Sequence, residues 1–134
     1  MKNRILPLFV LALFGCSKPQ IVELASVSPR LDEQFQIKIG QTVNLGDDFS
    51  FTFDSVPKDS RCPKNVVCIW SGNAAVALKF PDGIQRLNTT QGSHAVIYRD
   101  YSIELIQLAP YPESPGTIST DAYTATLKVN AVTQ

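Results

Sequence analysis

Cys62 and Cys68 stand in DSRCPKNVVCIW, residues 59–70, beside a proline, an Asp–Arg pair and the chain's only tryptophan, Trp70. A cluster of this kind suits one of three chemistries. As thiolates the pair would begin a metal site, but with His94, the only histidine, it supplies just three ligands, and its spacing exceeds that of a zinc hook. As a redox centre it lacks the two-residue spacing that lowers a thiol pKa. As a disulfide it closes a small ring, and the restriction of the unfolded chain makes such a ring worth about 2 to 2.5 kcal/mol. The expectation is a structural disulfide, with no metal and no cofactor.

The neighbours are read in the same light. Asp59 can cap the turn by accepting from a backbone N–H two residues on, and Pro63 fixes one φ inside the ring. Trp70 is expected to lay its indole over the disulfide or the core beneath. Arg61 is expected to pair with Asp59 or another acid at the surface, which is worth under about 1 kcal/mol. Asp59, Ser60, Arg61 and Trp70, with Tyr111 from PYPESP further on, are the candidates for an interaction surface. The role expected of Asp59, Ser60 and Arg61 is to shape the loop, and that of Tyr111 is a packed lid.

No catalytic residue is assigned. A hydrolase would need a base, a nucleophile and an orienting acid; His94, beside Ser93 at the start of a predicted strand, carries no signature of a triad. Asp47, Asp48, Asp54 and Asp59 would suit paired-carboxylate chemistry, and the first three would suit calcium. They fall in or beside predicted turns without a calcium-loop pattern, so they read as solvated acids.

The elements that must position these residues are strands. Phe35, Ile37 and Ile39 alternate with polar residues, as do Phe49, Phe51 and Phe53, then Val76, Leu78 and Phe80. Ile84 to Leu87, His94 to Tyr98, Tyr101 to Leu108 and Tyr123 to Ala131 continue the series, each half-buried in expectation. Gly46-Asp47-Asp48, Pro81-Asp82-Gly83, Gln91 to Ser93 and Arg99-Asp100 are turn signals between them. In Tyr101 to Leu108 the parity changes, since Ile103 and Leu105 alternate on one side and Ile106 and Leu108 on the other. Either a bulge switches faces or both faces are covered. APYPESPG, rich in proline, predicts a stiff crossover to the last strand. The pattern predicts an all-β domain over residues 34–134: a single antiparallel β-sandwich of seven to eight strands, immunoglobulin-like or a related Greek key.

The N-terminus is of another kind. Residues 1–15 carry Lys2 and Arg4 and then a mostly apolar block from Ile5 to Phe14, too short to stay as a transmembrane helix. The block's end, LFGC, resembles the lipobox of bacterial lipoproteins, with Leu13 and Gly15 matching and Phe14 bulkier than usual. That resemblance implies a lipid-attached N-terminal Cys16, with membrane association through its acyl chains. Ser17 then favours the outer membrane, facing periplasm or surface, over the inner. Residues 16–33, SKPQIVELASVSPRLDE after the cysteine, read as a lipidated tether, with residues 21–27 as an alternative edge strand. Cys16 also explains the odd cysteine, leaving Cys62 and Cys68 an even pair in an oxidising compartment.

The chain has 134 residues with 12 basic and 12 acidic side chains. This balance leaves no field for nucleic acid and no polybasic patch, and a single core of this size suits a monomer.

DSRCPKNVVCIWSGNAAVAL, with IKIGQTV upstream and LIQLAPYPES and DAYTATLKV downstream, resembles a widespread group of small bacterial lipoproteins and secreted proteins. They share D-S-R-C-P, then C-[IV]-W-x-G-x-A-x-V, then L-x-P-Y-P, then D-Y-x-A-x-L-x-V. Asp59 to Pro63, Cys68, Ile69, Trp70, Gly72, Ala74 and Val76 match; Ala109 precedes Pro110-Tyr111-Pro112, and Ala122 separates Asp121 from Tyr123. The resemblance covers about residues 35–131 and implies a shared fold, a disulfide and a surface or periplasmic life. It implies no activity. The function expected is a non-enzymatic binding or interaction module of the cell envelope, with an envelope protein or small ligand as partner. The alternatives are a small periplasmic hydrolase or metal-dependent enzyme, and a purely structural lipoprotein.

Overall fold

The computed structural model describes residues 25–116 and 118–133. The expected signal segment 1–15, Cys16 and the first part of the expected tether lie outside the described residues. Eight strands follow one another: β1 (Gln34–Lys38), β2 (Thr42–Asn44), β3 (Ser50–Asp59), β4 (Ala74–Phe80), β5 (Gly83–Asn88), β6 (Ala95–Tyr98), β7 (Tyr101–Ala109) and β8 (Thr124–Ala131), with one 3-10 turn at Thr120–Ala122. They form two four-stranded antiparallel sheets, β1-β8-β7-β6 and β2-β3-β4-β5.

The two sheets enclose one core, because the period-two runs turn their apolar parity inward, except that in β5 Ile84 is exposed and Leu87 alone is buried. Ile37, Phe51, Phe53, Val76, Leu78, Leu87, Ile103, Leu127 and Val129 are sealed from solvent. On β8 the alternation Ala125, Leu127, Val129 is buried, while Ala131 emerges at the strand's end. β2 was not legible as a strand because its three residues contain one apolar side chain, Val43. β3 runs six residues past the phenylalanine pattern; two register irregularities, between Phe53 and Ser55 and between Ser55 and Lys58, let the strand carry Pro57.

The strand order corrects one expectation. Every consecutive pair is adjacent within a sheet or joined across its edge, and β1 closes beside β8. That is an up-and-down order, not an immunoglobulin-like or Greek-key one. The reason is that short links join neighbours, as at Pro81-Asp82 between β4 and β5 and Arg99-Asp100 between β6 and β7. The proline-rich segment is likewise no crossover. β7 and β8 are antiparallel partners from Tyr101↔Ala131 to Ala109↔Thr124, so residues 110–123 are a long hairpin excursion.

The parity change in β7 is a bulge: register shifts between Leu105 and Gln107, leaving Ile106 outward while Ile103, Leu105 and Leu108 face the core. Part of the expected tether belongs to the domain. Val27 bridges the open edge of β2 at Val43, Asp32 N–H donates to the Val129 carbonyl at 2.8 Å, and Lys128 pairs with Asp32.

All strands being antiparallel, the sandwich has two distinct ends. The β2–β3, β4–β5 and β6–β7 links lie at one end, over an aromatic cluster in which Phe49 meets Tyr101 at 4.5 Å and Phe80 meets Tyr98 at 4.2 Å. The opposite end carries the long connections β3–β4, β5–β6 and β7–β8. In urea unfolding, Ile106→Thr should change stability by no more than about 0.5 kcal/mol, whereas Leu108→Ala should cost about 2 to 5 kcal/mol. The reverse ranking would move the bulge.

Candidate functional site

The long-loop end is built on an extension of the β3–β4 hairpin. Beyond the sheet, Ser60 N–H donates to the Asn73 carbonyl and Cys62 N–H to the Ser71 carbonyl, at 2.7 and 2.8 Å. The two arms approach so closely at Gly72 that a Cβ there would lie 1.8 Å from the Ser60 carbonyl oxygen, and its φ of +71° also favours glycine. The hairpin is then closed by the Cys62–Cys68 disulfide, with a Cα–Cα separation of 6.0 Å.

Beneath this ring lies Arg61, and here the sequence expectation fails. Arg61 is the buried charged residue of the core, with only 3% of its side chain exposed, not half of a surface pair. Its Nε donates to Asp59 Oδ1 at 2.9 Å and its Nη2 to Asp59 Oδ2 at 2.7 Å, the two-pronged geometry at which arginine excels. Nη1 donates to the Leu108 carbonyl at 2.8 Å and Nη2 also to the Pro110 carbonyl at 2.9 Å. Asp59 accepts in addition from the Arg61 N–H, the turn cap anticipated from sequence, and from the Tyr123 hydroxyl at 2.9 Å. Four of the five guanidinium protons are thereby used.

Electrostatics follows from this packing. Burial alone pushes the Asp59 carboxyl up, but the hydrogen bonds from Arg61 and Tyr123 and the guanidinium charge outweigh it and hold the carboxyl below the usual range. Burial and the Asp59 carboxylate both push the Tyr123 hydroxyl up, to about 12.

The proline-rich excursion is laced to the same ring. Tyr111 donates its hydroxyl to the Cys62 carbonyl at 2.7 Å and lies under the Arg61 guanidinium at 5.2 Å. Lys64 N–H donates to the Pro112 carbonyl and Asn65 N–H to that of Glu113, both at 3.1 Å. On the other side Asn73, which sequence reasoning passed over, holds the β5–β6 link: its Oδ1 accepts from the Thr90 N–H at 2.9 Å and its Nδ2 donates to Asn88 Oδ1 at 2.9 Å.

With that space filled, the ring's apolar side chains point outward. Val67 and Ile69 are fully exposed and Trp70 is 73% exposed, so Trp70 covers neither the disulfide nor the core. Together with Tyr111, 42% exposed, Ile69 and Trp70 border a shallow, open hollow of about 590 Å³ beside Cys68 and Lys64. Of the five candidate surface residues, Trp70 and Tyr111 face solvent, Ser60 is exposed but bonded to the Asn73 backbone, and Asp59 and Arg61 are turned inward.

The residues weighed for catalysis do not meet. Asp47 and Asp48 lie in the β2–β3 link at the aromatic end, Asp54 is exposed on β3 and bonded to Ser55, and Asp59 belongs to the arginine cluster. His94 stands in the β5–β6 link with Nδ1 2.7 Å from the Asn88 carbonyl. Among the described residues, no three His, Cys, Asp or Glu side chains are placed to hold a metal ion.

Arg61→Met should cost about 3 kcal/mol, because it strands a buried carboxylate. The Asp59 contribution to stability is complete above about pH 4, its unfolded value, and is lost as pH falls through the lower folded value. The Tyr123 contribution is complete below about pH 10 and is lost as pH rises toward the folded value. Unfolding followed across pH should therefore show Asp59→Asn flattening the acid limb and Tyr123→Phe the alkaline limb; unchanged limbs would remove this cluster from the stability account. Set against known proteins, the chain matches no family model, no curated protein and no solved structure.

Proposed function

We propose that this protein is a non-enzymatic, lipid-anchored interaction module of the bacterial cell envelope, held by Cys16 and presenting the disulfide ring as its contact surface. One observation carries the reading. A loop immobilised by a disulfide, a buried ion pair and backbone bonds to a neighbouring loop exposes Val67, Ile69, Trp70 and Tyr111 together. Monomeric surfaces scatter apolar residues singly, and a contiguous exposed group marks a site of contact. Rigidity favours the same role, since a pre-ordered loop loses little entropy on binding. The LFGC lipobox resemblance and the alternation of a signal segment with a sandwich support the envelope address, with the outer membrane preferred.

The anchor is tested by intact mass of the native protein. Cys16 should carry a diacylglyceryl group, and Cys16→Ser should abolish incorporation of labelled fatty acid; an unmodified Cys16 would overturn the anchor. The contact surface is tested by a photoreactive side chain at position 69 in living cells. Adducts should form there and not at position 84, which is also exposed but lies on β5. Equal yields at both positions would remove the ring as a specific surface.

A further inference from the structure

The first described residues lie alongside β2, on the same sheet whose β3–β4 connection carries the disulfide ring. Ala25 lies level with Gln41, whose side-chain Nε2 donates to the Ala25 carbonyl at 3.4 Å, and Val27 then runs parallel to β2. β2 descends away from the long-loop end, because it is antiparallel to β3, which climbs toward Asp59 and the ring. From Ala25 to Val27 the chain therefore runs away from the ring's end of the domain. The last strand leaves by the opposite end, where Val132 N–H donates to the Asp100 carbonyl.

The distances agree. From the level of Phe53, bonded to Gln41, to Asp59 the sheet rises roughly 13 Å, the four-residue advance of β4 from Leu78 to Ala74 that faces this bulged stretch. The stretch from Cys16 to Ala25 spans at most about 30 Å. An acyl chain on Cys16 and the tip of the ring can thus meet one plane. The tip's chemistry fits that plane: Val67, Ile69 and Trp70 project into solvent, while the polar groups behind them, the Arg61 fork, the Asp59 carboxylate and the Tyr111 hydroxyl, are already bonded internally. The ring's exposed polar side chains are Lys64 and Asn65, whose backbone N–H groups are bonded to the Pro112 and Glu113 carbonyls. Indole favours the bilayer interface, and apolar area adds directly to acyl-chain anchoring.

We infer that the occupant of the exposed ring is the lipid bilayer itself: Val67, Ile69 and Trp70 insert into the interface of the leaflet that holds the anchor, fixing the domain's orientation on the membrane. The inference rests on the anchored reading above and names the partner of that contact surface. Held at the surface by its lipid, the ring acts intramolecularly, so even weak insertion is sustained.

Trp70 is the sole tryptophan, so its fluorescence reports on the tip alone. The full acylated chain is reconstituted into vesicles of phosphatidylethanolamine and phosphatidylglycerol, with flotation and emission measured on the same sample. The expected result is co-flotation, a blue shift, and quenching by lipids brominated on their acyl chains. A Val67→Asp/Ile69→Asp variant should still float but lose both the shift and the quenching. Co-flotation with water-like emission and no quenching would overturn the insertion while leaving the anchor intact. A blue shift that depends on protein density and resists brominated lipid would overturn it in favour of contact with a second copy. A chain that fails to float would overturn the anchor and the inference with it.

Discussion

The guanidinium of Arg61 is the constraint on which the long-loop end depends. A buried cation is tolerable only where an anion and further acceptors surround it. Asp59 supplies the anion from the same hairpin, Leu108 and Pro110 supply carbonyls from the end of β7, and Tyr123 closes the carboxylate from the entry to β8. One side chain thus ties the β2-β3-β4-β5 sheet to the other. Gly72 and the disulfide follow from it, since the hairpin arms must close over the cluster at the distance its bonds prescribe.

The two ends of the sandwich solve the same problem differently. At the end of short links, Phe49, Phe80, Tyr98 and Tyr101 close the core by aromatic packing. At the end of long links no such cluster exists among the described residues, and a polar network with a covalent ring does the closing. Because the network holds Asp59 and Arg61 internally, the ring turns Val67, Ile69 and Trp70 to solvent beside Lys64 and Asn65. Closing the core and exposing these apolar side chains are therefore two consequences of one arrangement.

The up-and-down order has a bearing on the surface as well. With β1 beside β8 and consecutive strands adjacent, the described chain runs from Ala25 away from the long-loop end, and it leaves after β8 at the other. A Greek-key order would have permitted other placements.

Much of this was legible along the chain. Seven of the strands rest on period two, a consequence of the pleat that places alternate side chains on opposite faces whatever lies beyond them. The Pro81-Asp82-Gly83 and Arg99-Asp100 turns and the Cys62–Cys68 ring depend on near neighbours, so sequence alone determined them. The β7 parity change announced an irregularity, but only its pairing with β8 chose the bulge. Strand order, the inward place of Arg61 and the outward place of Trp70 were decided by tertiary structure. The partners of Arg61 at Leu108 and Pro110 are 47 and 49 positions away, and Tyr123 is 64 from Asp59. A local reading ranks arginine as surface and tryptophan as core by their average solvation. In the folded chain, distant acceptors offset the cost of burying the charge, and the filled space beneath the ring leaves the indole outside.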